Sequence, residues 1–516
     1  MAYKNISDIP EGKLTLADRG EKISDQKFET KPVGYFKDAF RRFKKNKSSM
    51  TASIIILLLL IFAIIVPFVS NYNVTIRDGY YSLVLPKFEP LAWLGWDGCA
   101  SRTETQAGYD YYSSIGAEYG DSAVVEVRGS YVDANTGSVF YKLYVDSYEK
   151  VGFVYADLSE TDYKALQQYQ NETGIQVIYP MPENYKTAFV AVSSAANLWY
   201  ELADSTSTTS GASAYHDEEG NPIFVPAYMT TENFNRAGYD SLRLESDNGG
   251  EDGNTWYVYA VKNQTGYHVR LLYKEYYQFK NGFEPNFLFG TNQHGQDIFV
   301  SLASGARLSF ILALSVSIIN FFIGVIYGAV EGYYGGAVDL ILERISDILG
   351  SVPFIVVATL FQLHLADRVG PVWSLLFAFV LTGWMGIAYR VRTQFYRFKN
   401  SEYVLAARTL GASDRRLIFR HILPNSLGTI ITGTILIIPS VIFSESMLSY
   451  LGIISLETSS LTSIGTMLAG GQAYLSTYPH IIMFPAIFIS LLEISFHLFG
   501  NGLRDAFNPS LRGADE

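Results

Sequence analysis

Glu402 to Asn425 reads EYVLAARTLGASDRRLIFRHILPN, and the reading of the whole chain turns on it. The segment is basic and partly amphipathic, and it lies between two apolar runs long enough to cross a bilayer. Ala406, Ala407, Leu410, Leu417 and Ile418 are spaced to share one helical face. Gly411 interrupts the run after Leu410, and Ser413 with Asp414 can cap a second helix starting near Arg415. Leu423-Pro424 is expected to end that helix, because proline lacks the backbone N–H that a helix interior uses. The pattern predicts helix, tight turn and helix on a membrane surface, offered to a docking partner.

Composition bounds the rest. Of 516 residues 48% are hydrophobic, and they are unevenly placed. Met50 to Ser70 is an almost unbroken apolar run, and a second apolar block extends, with interruptions, from Ser309 to Gly500. A span needs roughly 20 apolar residues, so this is an integral membrane protein. The net charge of −11 is regional: residues 71–300 carry 14 Lys and Arg against 30 Asp and Glu, a net of −16. Such acidity argues against nucleic-acid binding. Cys99 is the only cysteine, so no internal disulfide forms, which suits a bacterium that does not rely on disulfides. A polar stretch of 49 residues precedes the first apolar run, which is therefore expected to be a span and not a cleaved signal.

The expected organisation follows the chain. Residues 1–49 form an N-terminal region whose YFKDAFRRFKKNK (Tyr35 to Lys47) interleaves aromatics and bases at helical spacing. Phe36, Phe40 and Phe43 can meet lipid while the bases meet phosphates, as an elbow helix or as a charged flank orienting span one; either way the bases place this end in the cytoplasm. Residues 50–70 are span one. Residues 71–288 form an extracytoplasmic insert, mostly β with some helix. Ala123–Tyr131 and Val139–Val145 flank DANTGS, and Thr255–Val261 and Tyr267–Leu272 flank KNQTG, two hairpin signals; Thr161–Glu172 is helical. Ser246–Asn254 lacks the twelve-position calcium-loop pattern and reads as a solvated turn. Residues 289–500 form the membrane domain. It opens with a turn at GTNQHGQD, where His294 and Asp297 read as turn caps, not a metal pair, and a short amphipathic helix. Span two is Leu308–Val330, span three Ile345–Leu365 across Pro353, span four Pro371–Tyr389, span five Leu427–Leu448 and span six His480–Leu498. An outer connection Gly452–Thr477 holds a short helix near Ile464–Ala469. Residues 501–516 are a cytoplasmic tail. Between Arg390 and Pro424 stand 8 basic and 2 acidic residues, which places loop 390–425 in the cytoplasm.

The chain carries no phosphate-binding G-x-x-x-x-G-K-[ST] loop, serine elbow or cysteine metal cluster. It is not expected to be an enzyme or to bind a cofactor or metal. Ion-coupled carriers keep ionisable groups within their spans, and these spans hold few: Glu445 near the outer end of span five, and Glu493 with His497 one helical turn apart on span six. The last two can line a polar pathway, form a structural pair or relay protons. An ion-coupled carrier or membrane sensor using the outer domain is the alternative to a partner-driven transporter.

On these residues the loop resembles the cytoplasmic loop of ABC importer permeases, E-A-A-x-x-x-G followed ten residues later by I-x-L-P. Ala406, Ala407, Gly411, Leu423 and Pro424 match; Leu405 stands where Glu is usual, and His421 where Ile is usual. FGTNQHGQDIFVSLASGARLS (Phe289 to Ser309) is similar to the F-G-T-D-x-x-G-R-D segment of the oligopeptide/dipeptide (nickel) permease family, and NGLRDAFNPSLR to its G-L-R-D-x-x-D-P ending. Together they resemble the C-type subunit, with a large insert between spans one and two. The resemblance implies a six-helix type I permease core and half of a heterodimeric pore for peptides. It implies a B-type permease, two cytoplasmic ATPases using ATP and Mg, a lipid-anchored extracellular binding protein, and a bacterial, Gram-positive plasma membrane. In that reading Glu402, Leu405, Ala406, Ala407, Gly411, Ala412, Ser413, Leu423 and Pro424 form the ATPase-coupling loop.

Overall fold

The computed structural model describes residues 35–116, 119–179, 195–197, 200–202, 224–226, 260–262, 264–458 and 461–507. The turn expected at Ser246–Asn254 and residues 255–259 of the second hairpin lie outside them. Five described helices are long and apolar enough to cross a membrane: Lys47–Val69, Ile298–Tyr334, Pro371–Phe398, Asp414–Tyr450 and His480–Phe507. A sixth crossing is possible only through a bent pair, Gly336–Gly350 and Phe354–Val369, which meet at 70°. The third span expected over Ile345–Leu365, across Pro353, falls on this bent pair. Pro353 disfavours a helical neighbour before it, and here the helix stops at Gly350 and the next starts after Pro353, its cap residue.

Two further boundaries differ from expectation. No separate amphipathic helix precedes span two; one helix runs from Ile298, because Asp297 caps it by accepting from Phe299 N–H at 2.8 Å and no breaker follows. Leu423-Pro424 does not stop the loop's second helix either. That helix continues from Asp414 to Tyr450 through a widened turn at Leu417–Ile422, where Leu423 N–H bonds Ile418 O five residues back. The widened turn makes room for the proline ring and for its missing donor.

Span two is the central post. Gly324, Gly328 and Gly332 recur every fourth residue and face Met385–Phe398. A Cβ on Gly328 would stand 2.2 Å from Ala388 O, and one on Gly332 2.7 Å from Phe395 Cβ. Small residues at this spacing let two membrane helices approach backbone to backbone. The apolar core spans all the membrane helices and includes Ala306, Ala313, Leu375, Ile442, Phe488 and Leu492. The elbow helix Tyr35–Lys45 does not lay all its aromatics on lipid: Phe43 packs edge-on against Phe499 of the last helix at 5.3 Å, while Phe40 stays exposed.

The inserted region carries nine described strands. β1 (Cys99–Thr105), β2 (Val124–Val132) and β3 (Val139–Asp146) form an antiparallel sheet ordered β1-β3-β2. β4 (Phe153–Ser159) and β5 (Ile178–Tyr179) come next, then β6 (Tyr200–Leu202) with β7 (Phe224–Pro226), a separate pair. β8 (Ala260–Lys262) and β9 (Gly266–Leu272) close the order; β9 pairs β4, β5 and β8. The helix expected at Thr161–Glu172 runs from Glu160 to Thr173 and is capped by Ser159. The insert is tied to the membrane domain through its two ends. Val84 N–H donates to Thr291 Oγ1 at 2.9 Å, and Gln296 Nε2 to Val74 O at 2.6 Å. Gly295, at φ +67°, sits so close to Asp78 O that a Cβ would stand 1.7 Å away, which explains a glycine there.

Candidate functional site

The loop opens with the helix Glu402–Thr409, entered from Ser401. Its exit is a two-bond glycine turn: Gly411 N–H donates to Arg408 O and Ala412 N–H to Ala407 O, both at 3.0 Å, with Gly411 at φ +83°. This pairing satisfies the carbonyls that a helix end leaves free, and the left-handed residue it needs is cheap only for glycine. Ser413 then precedes the second helix without a side-chain capping bond, and Asp414 accepts from Tyr333 Oη at 2.5 Å.

The expected single face divides in two. Val404, Leu417, Ile418 and Ile422 are buried against Val325, Ala329, Tyr333, Val391 and Phe395. Leu410 is 88% exposed, and Leu405 and Ala406 are exposed beside it. The αL turn at Gly411 reverses the chain between Leu410 and Leu417, so the two cannot share a face. The loop is therefore pinned from behind by aliphatic side chains and presents Leu405, Ala406, Arg408 and Leu410 outward. Leu423 is half-buried and Pro424 exposed at the base of the long helix.

Behind the loop lies an ionic cluster that sequence pattern did not single out. Arg392 grips Asp339 with Nε at 2.6 Å and Nη2 at 2.9 Å, and Glu343 with Nη1 at 2.8 Å and Nη2 at 3.0 Å. Tyr396 Oη donates to Asp339 at 2.6 Å. Two forked contacts on one guanidinium fix the bent helix pair to span four more narrowly than a lysine would. The cluster borders a cavity of about 460 Å³ lined by Glu331, Asp347, Tyr389 and Arg392 among others.

At the insert end of the bundle Glu445 is fully buried among hydroxyls. Ser463 Oγ donates to it at 2.7 Å, Ser309 Oγ and Ser449 Oγ at 3.1 Å, and Ser446 Oγ at 3.4 Å. It thereby ties span two and span five to the short outer helix Ile464–Gly471, which begins beside Ser463. The sequence signal was present, since four serines interrupt apolar surroundings, but nothing local showed that they converge. Glu493 and His497 do not join this site. They stand on the last helix, which contributes nothing to that cluster, 3.6 Å apart, too far for a hydrogen bond, with His497 exposed. At the entry to span two, burial pushes the Asp297 carboxyl up to about 7 despite the backbone N–H groups of Phe299 and Val300.

With this geometry in place, comparison with known proteins is informative. A family described as the binding-protein-dependent transport system inner membrane component matches residues 320–513. The N-terminal TM domain of oligopeptide transport permease C matches residues 34–86. Neither model covers residues 87–319. The oligopeptide transport system permease protein OppC of Bacillus subtilis is 42% identical over 224 residues, 43% of this chain and 72% of that protein. The dipeptide transport system permease protein DppC of the same organism is 40% identical over 225 residues, 43% of this chain and 69% of that one. OppC of Escherichia coli is 34% identical over 230 residues, 44% of this chain and 74% of its own length.

Proposed function

The chain belongs to the family of binding-protein-dependent ABC importer permeases of the oligopeptide/dipeptide C type, and from that premise we propose that it forms half of a peptide pathway driven through its 402–425 loop. The other half is a B-type permease subunit. Two cytoplasmic ATPases use ATP and Mg, and a lipid-anchored extracellular protein delivers the cargo. This chain contributes no catalysis. It sits in a bacterial, Gram-positive plasma membrane with both termini in the cytoplasm and the insert outside.

The observation that supports this reading is the two-sided loop. Glu402, Leu405, Ala406, Ala407, Gly411, Ala412 and Ser413 bracket a short helix whose inner residues are fixed to spans two and four. On its outer side a Cβ added at Gly411 would meet nothing of this chain within 4 Å, and Leu410 is bare. A partner groove that takes Leu405, Ala406 and Leu410 moves the spans with it. Leu423 and Pro424 stand where the loop joins the 37-residue helix Asp414–Tyr450, which reaches the Glu445 cluster at the far end. When ATP draws the ATPases together, the loop shifts and the helix carries that shift toward the outer connection. The spans then exchange inward- and outward-facing populations through differential contacts. Glu493 and His497 offer polar groups to a pathway between the two permeases.

The test is Gly411→Trp beside Gly411→Ala, measured as peptide uptake and transport-coupled ATPase activity in the assembled transporter. Both carry the backbone strain of a left-handed site. Only the tryptophan obstructs a partner, because space around Gly411 is empty within this chain. Loss of uptake in Gly411→Trp with retention in Gly411→Ala is expected, with insertion unchanged in both. Wild-type uptake by Gly411→Trp refutes the docking role.

A further inference from the structure

The segment Phe88 to Trp96 is a closed loop at the seam between insert and membrane domain. Phe88 N–H donates to Trp96 O at 2.7 Å, Gly95 N–H to Ala92 O and Trp96 N–H to Leu91 O, around a short turn of helix at Glu89–Leu94. Lys87 and Asp97 pair at its neck. The loop is therefore a self-supporting unit held by its own backbone bonds.

Its two tryptophans face opposite environments. Trp96 packs inward against Phe289 at 5.9 Å and Phe484 at 5.6 Å. Phe289 in turn stacks on Phe484 at 4.0 Å and meets Phe299, which meets Phe62 of span one at 5.2 Å. Phe484 lies in the opening turns of the last span, and Phe299 is the second residue of span two. This aromatic ladder fixes the loop against the opening turns of span two and of the last span, and against span one about two turns before its end at Val69. Trp93, by contrast, is 79% exposed and Leu94 58%, with Phe88 and Pro90 also exposed beside them. A tryptophan and a leucine bared together are costly in water. At the end level of the spans they have a ready environment, since the indole ring and its N–H suit the boundary between acyl chains and headgroups.

We propose that Phe88, Trp93 and Leu94 insert into the headgroup boundary of the outer lipid leaflet and so moor the insert to the membrane surface beside the last span. The ladder beneath Trp96 seats the apolar tip on the ends of membrane helices, and the insert-side end of span one likewise exposes Phe68 and Val69. A single mooring point next to the seam limits how far the insert tilts relative to the spans.

The test places a nitroxide spin label at position 93 (Trp93→Cys in a Cys99→Ser chain) within the assembled transporter in phosphatidylcholine/phosphatidylglycerol vesicles. Collision with dissolved oxygen is compared with collision with a water-soluble nickel chelate. The reference label is Lys164→Cys, on an exposed polar helix of the insert. The expected result is an oxygen-to-nickel ratio several-fold higher at 93 than at 164. Equal ratios mean the tip is in water, and protection from both quenchers means a protein covers it; either overturns the proposal. Because labelling replaces the indole, native Trp93 is also read by fluorescence in lipids brominated near the headgroup. Quenching that is lost in Trp93→Phe supports the mooring, and quenching identical in both chains overturns it.

Discussion

Gly328→Ala adds one methyl group and is expected to loosen the seat of the loop. The new Cβ would lie 2.2 Å from Ala388 O, where ordinary contact begins at 3.4 Å, so span two and Met385–Phe398 must separate by about 1.2 Å at that point. The obstacle is backbone and cannot rotate away. A radial gap of about 1 Å forfeits a quarter to a half of the dispersion attraction of the atoms it parts, and overpacking of this kind costs about 1–3 kcal/mol. Alanine gives back up to about 1 kcal/mol of helix propensity, so a net loss of up to about 2 kcal/mol is expected. Gly386 on the facing helix is the control, because nothing lies within 4 Å of its Cβ position. Gly386→Ala is expected to be neutral or stabilising. The assay is thermal unfolding of the purified permease pair by tryptophan fluorescence, since Trp384 sits in this interface 4.5 Å from Tyr327. A lower midpoint for Gly328→Ala and an unchanged or higher one for Gly386→Ala is the expected outcome. If both variants melt alike, or Gly328→Ala melts higher than wild type, the close backbone contact is not what holds these helices.

Three other outcomes follow from the polar clusters. Arg392→Gln leaves Asp339 buried without its cation, held only by the Tyr396 hydroxyl, and is expected to cost up to about 3 kcal/mol; Arg392→Lys should recover only part, and Asp339→Asn combined with Arg392→Gln should melt higher than Arg392→Gln alone. Glu445→Ala removes the acceptor of four serines and is expected to raise amide exchange across residues 464–471, whereas Glu445→Gln should do so less because hydroxyls can turn to accept from the amide. Asp297, held near 7 in the fold against an ordinary value of 3.8, favours the folded state while protonated. Its contribution is full below about pH 4 and is lost as pH rises toward 7, with an upper bound of about 4 kcal/mol. Asp297→Asn keeps the cap and removes this loss, so wild type should fall relative to the variant between about pH 4 and 7 in thermal unfolding; a gap that widens as pH falls would contradict the assignment.

Sequence by itself determined that this chain crosses a membrane several times and which family it joins. It also marked the tight turn at Gly411, a capping role for Asp297, the DANTGS hairpin and the helix over Thr161–Glu172. These are local matters. Runs of apolar residues, a glycine that must take positive φ and a capping side chain all act within a few positions of themselves. Only the tertiary structure decided that Pro353 breaks a span while Pro424 does not, because the outcome depends on whether the surrounding turn can widen. Only the tertiary structure parted Leu410 from Leu417, joined Arg392 to Asp339 and Glu343, and gathered Ser309 and Ser463 around Glu445. Ser309 and Glu445 are 136 positions apart. The reason is physical. In water, apolar and polar faces of a helix differ, and their period shows which side is buried. Within a bilayer the lipid face and the protein face are both apolar, so the pattern carries no contrast, and small residues and rare polar groups find their partners only when the helices are packed.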